Sequence, residues 1–352
     1  MTSPLIVNAL GGISNPNLSI GRPPRAAAST HSPDNDARAI ADAHAAGLTA
    51  VNVTLGYVAG QQDPFAYTLQ TLDEWDAIIA SHPEDLIKVD RASDITRAHA
   101  VGKIGVIYGF QNGVQIGTDV SRIDEFARRG VRVFQLTYNP ANTLGDGCMA
   151  PENRGLTPLG RAAVERLNAA KIMVDLSHSG ELTCLDALAA SRAPISINHT
   201  GCRALTDLPR NKSDAELRAV AQGGGFVGIY FMPFLAPDSH ATAEDVVAHV
   251  DHAVNLCGED HVGLGTDGDA TGIDDLDTYK DHLAQEIAER ARAGIGAKGE
   301  RADTYPFVAD LRGVEQYRKL ESLLRGRGYA TGRIEKILGL NFQAFAREVW
   351  GG

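Results

Sequence analysis

The chain has 352 residues, 43% of them hydrophobic, with 44 acidic against 33 basic side chains and a formal net charge of −11. That length exceeds a small sandwich and suits either two ordinary domains or one α/β barrel, a fold that runs to about 250 residues and more with insertions. The acidic balance argues against nucleic acid or an anionic membrane surface as a partner, and no apolar run approaches the roughly 20 residues of a membrane span.

The chain opens on MTSPLIVNALGG, which lacks a basic region before its short apolar stretch and does not read as a secretory signal. LIVNAL (5–10) is the first candidate strand. A Pro/Ala/Ser-rich stretch (14–35) follows and is expected to loop over one end of the fold. The remaining candidate strands are AVNVTL (50–55), KIGVIYGF (103–110), VRVFQLTY (131–138), KIMVDLSH (171–178), APISINH (193–199), GFVGIYFM (225–232) and HVGLGTD (261–267). Several are near-continuous apolar runs, the pattern of a parallel sheet covered on both faces. Between them, apolar residues recur at helical spacing in DARAIADAHAAG, VSRIDEFARRG, LTPLGRAAVERLNAA, ELTCLDALAAS and AEDVVAHVDHAVNLCG. Asp119, Thr157 and Thr242 are expected N-caps, and Gly47, Gly130 and Gly258 mark expected helix ends. Gly223-Gly224-Gly225 precedes a strand and reads as a turn, not a phosphate cradle. Residues 268–310 read as a polar segment with a helix, and residues 311–349 as two more helices packed on the outside. The four cysteines (Cys148, Cys184, Cys202, Cys257) form no C-x-x-C pair, which points to reduced thiols in a cytoplasmic protein.

Eight strands alternating with helices predict a (β/α)8 TIM barrel, residues 1–352 forming one domain with a C-terminal helical extension at 311–349. A doubly wound open sheet is the alternative. The lack of a G-x-G-x-x-G after the first strand counts against it, since Gly11-Gly12 alone is not that fingerprint.

Barrel enzymes carry their chemistry at the C-terminal ends of the strands. Those ends hold Gln111-Asn112, Tyr138-Asn139, Asp175 with His178, Asn198-His199, and Asp267 followed by Asp269. One histidine at a strand end is usually a hydrogen-bonded structural residue. His178 and His199 on adjacent ends, with Asp267 nearby, form the three-ligand set of a catalytic Zn²⁺ with an open position. His249 and His252 lie three apart on a helix, with no carboxylate in sequence to complete a site. Arg210, in Arg210-Asn211, reads equally as a surface helix residue or as the bidentate clamp of a substrate carboxylate. The acidic run from Ile273 to Asp277 lacks the glycine and spacing of a calcium loop.

The runs GLTPLGRAAVERLNAAKIMVDLSHSG (155–180), INHTGCRALTDLPRN (197–211), HVDHAVNLCGEDHVGLGTD (249–267) and ILGLNFQAF (337–345) together resemble the membrane dipeptidase (renal dipeptidase) family of zinc peptidases. The resemblance runs across nearly the whole chain. It implies a (β/α)8 barrel of the metallo-dependent hydrolase type, two zinc ions at the strand C-termini, hydrolysis of dipeptides by a metal-bridged hydroxide, and a homodimer. It assigns His178 and His199 to the second zinc, Asp267 to proton handling near the metals, and Arg210 to the substrate carboxylate.

Three places depart from the family pattern. Leu10 and Gly12 stand where an H-x-D pair supplies the first zinc, Gln111 where a glutamate bridges both ions, and Tyr138 where a histidine faces the substrate. Two Zn²⁺ ions about 3.5 Å apart repel strongly unless carboxylates offset them, and two such carboxylates are gone. One zinc ion is therefore expected, held by His178, His199 and Asp267. In that reading Asp267 also acts as general base, Tyr138 as acid or oxyanion donor, and Arg210, Gln111, Asn112 and Asn139 bind the substrate. The expected substrate is a small amide, lactone or amino-acid derivative bearing a carboxylate. The alternative is a metal-free relative that catalyses another reaction or only binds a ligand.

Overall fold

The structure is a computed structural model and describes residues 3–20 and 36–351. His31 and most of the stretch expected to loop over the barrel mouth lie outside these residues.

Among the described residues the strands are β1 (Val7–Asn8), β2 (Ala50–Thr54), β3 (Leu86–Lys88), β4 (Ile104–Phe110), β5 (Val131–Gln135), β6 (Met173–Asp175), β7 (Ser196–Thr200), β8 (Phe226–Ile229) and β9 (Val262–Leu264). Every pairing is parallel, in the order β1-β2-β4-β5-β6-β7-β8-β9. The ends of that path meet. Ala9 N–H donates to Leu264 O at 2.8 Å, Asp267 N–H donates to Leu10 O at 2.9 Å, and Thr266 N–H donates to Asn8 Oδ1 at 2.8 Å. The result is a nearly closed eight-strand barrel, which overturns the open-sheet alternative.

β3 has no counterpart among the eight expected strands. Its three residues pair with the start of β4 (Leu86 opposite Ile104), below the point where β5 joins the same edge at Tyr108. A three-residue strand is too short to show periodicity in sequence. β4 accommodates both neighbours because all seven of its residues are buried.

The helices cover the outer face as expected. Thr157 caps helix Pro158–Ala169, accepting from Gly160 N–H at 3.0 Å with Pro158 at the first position. Thr242 opens helix Ala243–Cys257, its N–H donating to the Asp245 carboxylate at 2.7 Å. Asp119 is not a cap. The next helix begins at Arg122, and Asp119 accepts instead from the Ser121 N–H (2.9 Å) and hydroxyl (2.6 Å). Gly47, Gly130 and Gly258 lie at helix ends with φ of +77°, +85° and +89°. Among the described residues no helix is long and apolar enough to cross a membrane.

The C-terminal segment forms helix Gln316–Gly326, then Thr331–Glu335, a π turn Lys336–Leu340 and Asn341–Trp350. Phe342 and Phe345 set their rings 5.3 and 6.0 Å from that of Phe226, the first residue of β8. The π turn and the last helix therefore cover the N-terminal end of the barrel. The opposite rim, where the candidate chemistry lies, is left to the loops and to helix Leu276–Arg292.

Candidate active site at the carboxyl rim

Apart from β4 and β7, the strands end earlier than the sequence suggests, and the loops beyond them are tied by buried side chains. Asp175, the last residue of β6, is one such tie. Its Oδ1 accepts from Ser177 N–H and Asn198 N–H, both at 3.0 Å, and the Ser177 hydroxyl accepts from His199 N–H at 3.1 Å. This lattice sets His178 beyond β6 against His199 in β7, whose register shifts between Ile197 and Thr200. The two Nε2 atoms end 3.0 Å apart.

Asn139 fixes the state of His178. Its amide nitrogen donates to Ile295 O at 2.8 Å, so its Oδ1 is the acceptor facing His178 Nδ1 at 2.7 Å. His178 therefore carries its hydrogen on Nδ1 and leaves Nε2 bare, an assignment made from the hydrogen-bond network. Tyr138 stacks on the imidazole with ring centroids 4.2 Å apart. Burial, reinforced by the Arg210 charge, holds both histidines well below the usual imidazole range, so both are neutral. His199 Nδ1 has no hydrogen-bond partner among the described residues.

Arg210 is 2% exposed, which rules out the surface reading. One guanidinium nitrogen donates to Ser177 O at 2.6 Å, and Nη2 is buried with no partner among the described residues. A buried guanidinium left one bond short is a ready receptor for an anionic oxygen.

Asp267 lies three residues past β9 with φ +58°, a left-handed conformation rare for a side-chain-bearing residue. Burial pushes its carboxyl up to about 6, against the opposing pull of Arg210, Arg290 and a hydrogen bond from Gln111. Nearby, Asp269 accepts from Ser14 N–H at 2.9 Å and from the Ser14 hydroxyl at 2.7 Å. Two cavities, of about 390 and 440 Å³, share Gln111, Asp267, Asp269 and Glu286 as walls.

Residues 26–299 match the model of the membrane dipeptidase family, peptidase family M19. The chain belongs to this family. Dipeptidase tcpJ of Claviceps purpurea is 31% identical over 286 residues, covering 80% of this chain and 60% of that protein. An uncharacterized dipeptidase of Schizosaccharomyces pombe is 31% identical over 239 residues, 64% of this chain and 57% of that one. The chain thus spans about 60% of the length of these curated relatives. Among solved structures, an amidohydrolase from Pseudomonas aeruginosa superposes with a TM-score of 0.81 at 27% identity, over 99% of this chain and 97% of that one. A metallopeptidase from Rhodobacter sphaeroides, liganded with a phosphinate mimic of the dipeptide L-Ala-D-Ala, gives 0.77 at 20% identity over 99% and 100% of the two chains, a likeness of fold.

Within this family member, the sequence-based site set is only partly assembled. His178, His199 and Arg210 share the Ser177 segment, and Tyr138 joins them by stacking. Asp267 does not complete a three-ligand set. Among the described residues no group of three or more His, Cys, Asp or Glu side chains is arranged to hold a metal ion, and the Asp267 carboxyl at its left-handed turn is engaged by Gln111 instead. Asn112 is consumed structurally: its amide nitrogen donates to Val58 O at 2.9 Å, while Oδ1 accepts from Gly113 N–H (2.8 Å) and Asn142 Nδ2 (2.9 Å). Asn139 is likewise spent on Ile295 and His178, so it positions the imidazole rather than the substrate. At Gly12 an added Cβ would lie 2.3 Å from Asp269 Oδ1, so the Asp269 carboxylate already fills that space.

Sequence reasoning missed Arg290. Its Nη2 reaches the Tyr138 hydroxyl at 3.3 Å and Glu300 Oε1 at 2.8 Å. It sits on helix Leu276–Arg292, where nothing sets it apart from its many charged neighbours. His249 and His252 have separate partners. His249 is buried between Cys202 N–H (2.8 Å) and Leu235 O (3.0 Å), and His252 pairs with Asp214 at 2.8 Å, a carboxylate 38 residues away in sequence.

Proposed function

We propose that the chain is a dipeptidase-like hydrolase that cleaves a small amide or lactone bearing a carboxylate, with one zinc ion at the His178–His199 pair. The observation that carries this reading is the buried Arg210 guanidinium, one nitrogen free, beside two neutral imidazoles and a carboxyl group of raised pKa.

Two of the donors that a single ion would need are in place. Two imidazole Nε2 atoms lie 3.0 Å apart, and the bond from His178 Nδ1–H to Asn139 is the outer-shell contact that orients a metal-binding histidine. The donor set does not suit two ions. Leu10 offers only hydrocarbon, Gly12 has no side chain, and the neutral Gln111 amide cannot offset two dications. Bound at the histidine pair, the ion would supply Lewis-acid activation of water. Arg210 Nη2 donates to the substrate carboxylate and fixes the scissile bond relative to the histidines. Asp267, with its pKa near 6, is ionised at neutral pH, takes the proton of the attacking water and returns it to the leaving group. The Tyr138 hydroxyl, held by Arg290, donates to the carbonyl oxygen as charge develops there.

Metal analysis of protein purified after growth with zinc tests this. One zinc per chain is expected, falling to background in His178→Ala; less than about 0.1 zinc per chain in the parent protein overturns it. A second reading has its own support. With no third ligand beside them among the described residues, the paired Nε2 atoms also make an ordinary N–H···N hydrogen bond, donated by His199 to the bare nitrogen of His178. Intact turnover or ligand binding in metal-free protein selects that reading.

A further inference from the structure

The 390 Å³ cavity runs outward from Gln111, Tyr138 and Asp267 into a lobe that the catalytic reading leaves unused. Its size is within the range of pockets that hold small molecules. The outer wall comes from helix Leu276–Arg292 and the segment after it. Tyr305 and Phe307 stack with centroids 5.1 Å apart and planes 7° from parallel, and Tyr279 lies 5.9 Å from Phe307. Tyr279 is buried with Ile273 and Leu283, whereas Tyr305 and Phe307 are half-buried and line the opening. This cap is anchored to the site at two points, through Asn139 to Ile295 O and through the Arg290–Glu300 ion pair beside Tyr138. The lobe is thus pre-formed, so a ligand entering it need not order the wall.

From this wall we infer that the substrate's acyl half carries an aryl or large branched apolar group, seated against Tyr305 and Phe307. The inference rests on the proposed hydrolase reading, which gives the carboxylate-bearing half to Arg210. Arg210 does not line this cavity, so the half that extends past Asp267 into the lobe is the other one. A ring there buries apolar surface and stacks on Phe307, a combination that favours aromatic over small acyl groups. The substrate class is an amide in which a carboxylate-bearing amine is acylated by a bulky apolar acid.

The test is calorimetric binding of non-cleavable probes to the zinc-supplemented full chain. The ketomethylene isostere of phenylpropanoylglycine is compared with that of acetylglycine. The aryl probe is expected to bind at least about tenfold more tightly, a difference of about 1.4 kcal/mol. Phe307→Ala and Tyr305→Leu should each bring that ratio towards one while leaving the affinity for the acetyl probe unchanged, the control that the remainder of the site is intact. Equal affinities in the parent protein overturn the inference, as does a preference that survives both substitutions. Benzylacetone, which lacks a carboxylate, separates the two layers of argument. If it binds in a Phe307-dependent way while neither carboxylate probe depends on Arg210, the lobe stands and the carboxylate reading fails. If both carboxylate probes depend on Arg210 and show no aryl preference, the hydrolase reading stands and the lobe inference fails.

Discussion

Two sides of the same rim have diverged in how they hold polar groups. On the β6–β7 side, Asp175 and Ser177 tie both loops to the backbone, so His178, His199 and Arg210 project from a braced frame. On the β1–β9 side, Asp269 is gripped by Ser14, Gly12 yields its space to that carboxylate, and Leu10 lines the 440 Å³ cavity. The first side presents neutral nitrogens and a guanidinium short of one partner. The second spends its acid within the protein. A ligand-binding rim is thus distinguished less by which polar residues it contains than by whether their bonding capacity is left open.

Substitutions on each side should break this contrast in graded steps. Arg210→Met removes the open donor from the braced side and should lower kcat/KM by about a hundredfold, mainly through KM. Steady-state kinetics on an amide substrate with and without its carboxylate checks this, since the carboxylate-free substrate should be indifferent to the change. Asp267→Asn acts at the junction of the two sides. In the parent protein kcat/KM should rise with pH through about 6 as the base ionises, and the variant should lose both that limb and most of its activity. Stability should move the other way. The folded pKa of Asp267 lies above its unfolded value, so its contribution is full below about pH 4 and lost as pH rises through about 6. The asparagine variant should therefore melt higher than the parent at pH 8, with the gap closing at pH 4. The smallest effect belongs to the spent side. Gly12→Ala drives a methyl group into Asp269 and should cost about 1–3 kcal/mol in denaturant unfolding, partly recovered by adding Asp269→Ala.

The barrel was readable from sequence because eight apolar runs alternate with helical periodicity, and parallel strands joined by helices close into few architectures. β3 escaped because three residues carry no period. His178 and His199 drew attention by type and strand-end position, whereas Arg210, in a loop after β7, stayed open between the surface and a substrate carboxylate until its burial was seen. What sequence could not supply was how each polar group is used. Asn112 and Asn139 look like pocket residues by position, yet their amide nitrogens are committed to loops far along the chain, at Val58 and Ile295. Arg290 and the aromatic wall lie in a stretch that reads in sequence as a polar segment with one helix. Their place beside Tyr138 depends on how that segment folds back over the rim.

The seam that closes the barrel has a kinetic side. The Asn8 amide donates to the Thr266 hydroxyl at 2.8 Å across 258 residues of sequence, and Gly339 packs where a Cβ would lie 2.5 Å from Leu5 O. The opening strand pairs with β2 early, but its second neighbour, β9, and the helices beneath it come only in the last third of the chain. Loop closure over such a span carries a large entropic cost before any contact rewards it. Until β9 and the final helix exist, β1 exposes one unpaired edge. The folding chain is accordingly most vulnerable to aggregation along β1, the strand that waits for its second neighbour.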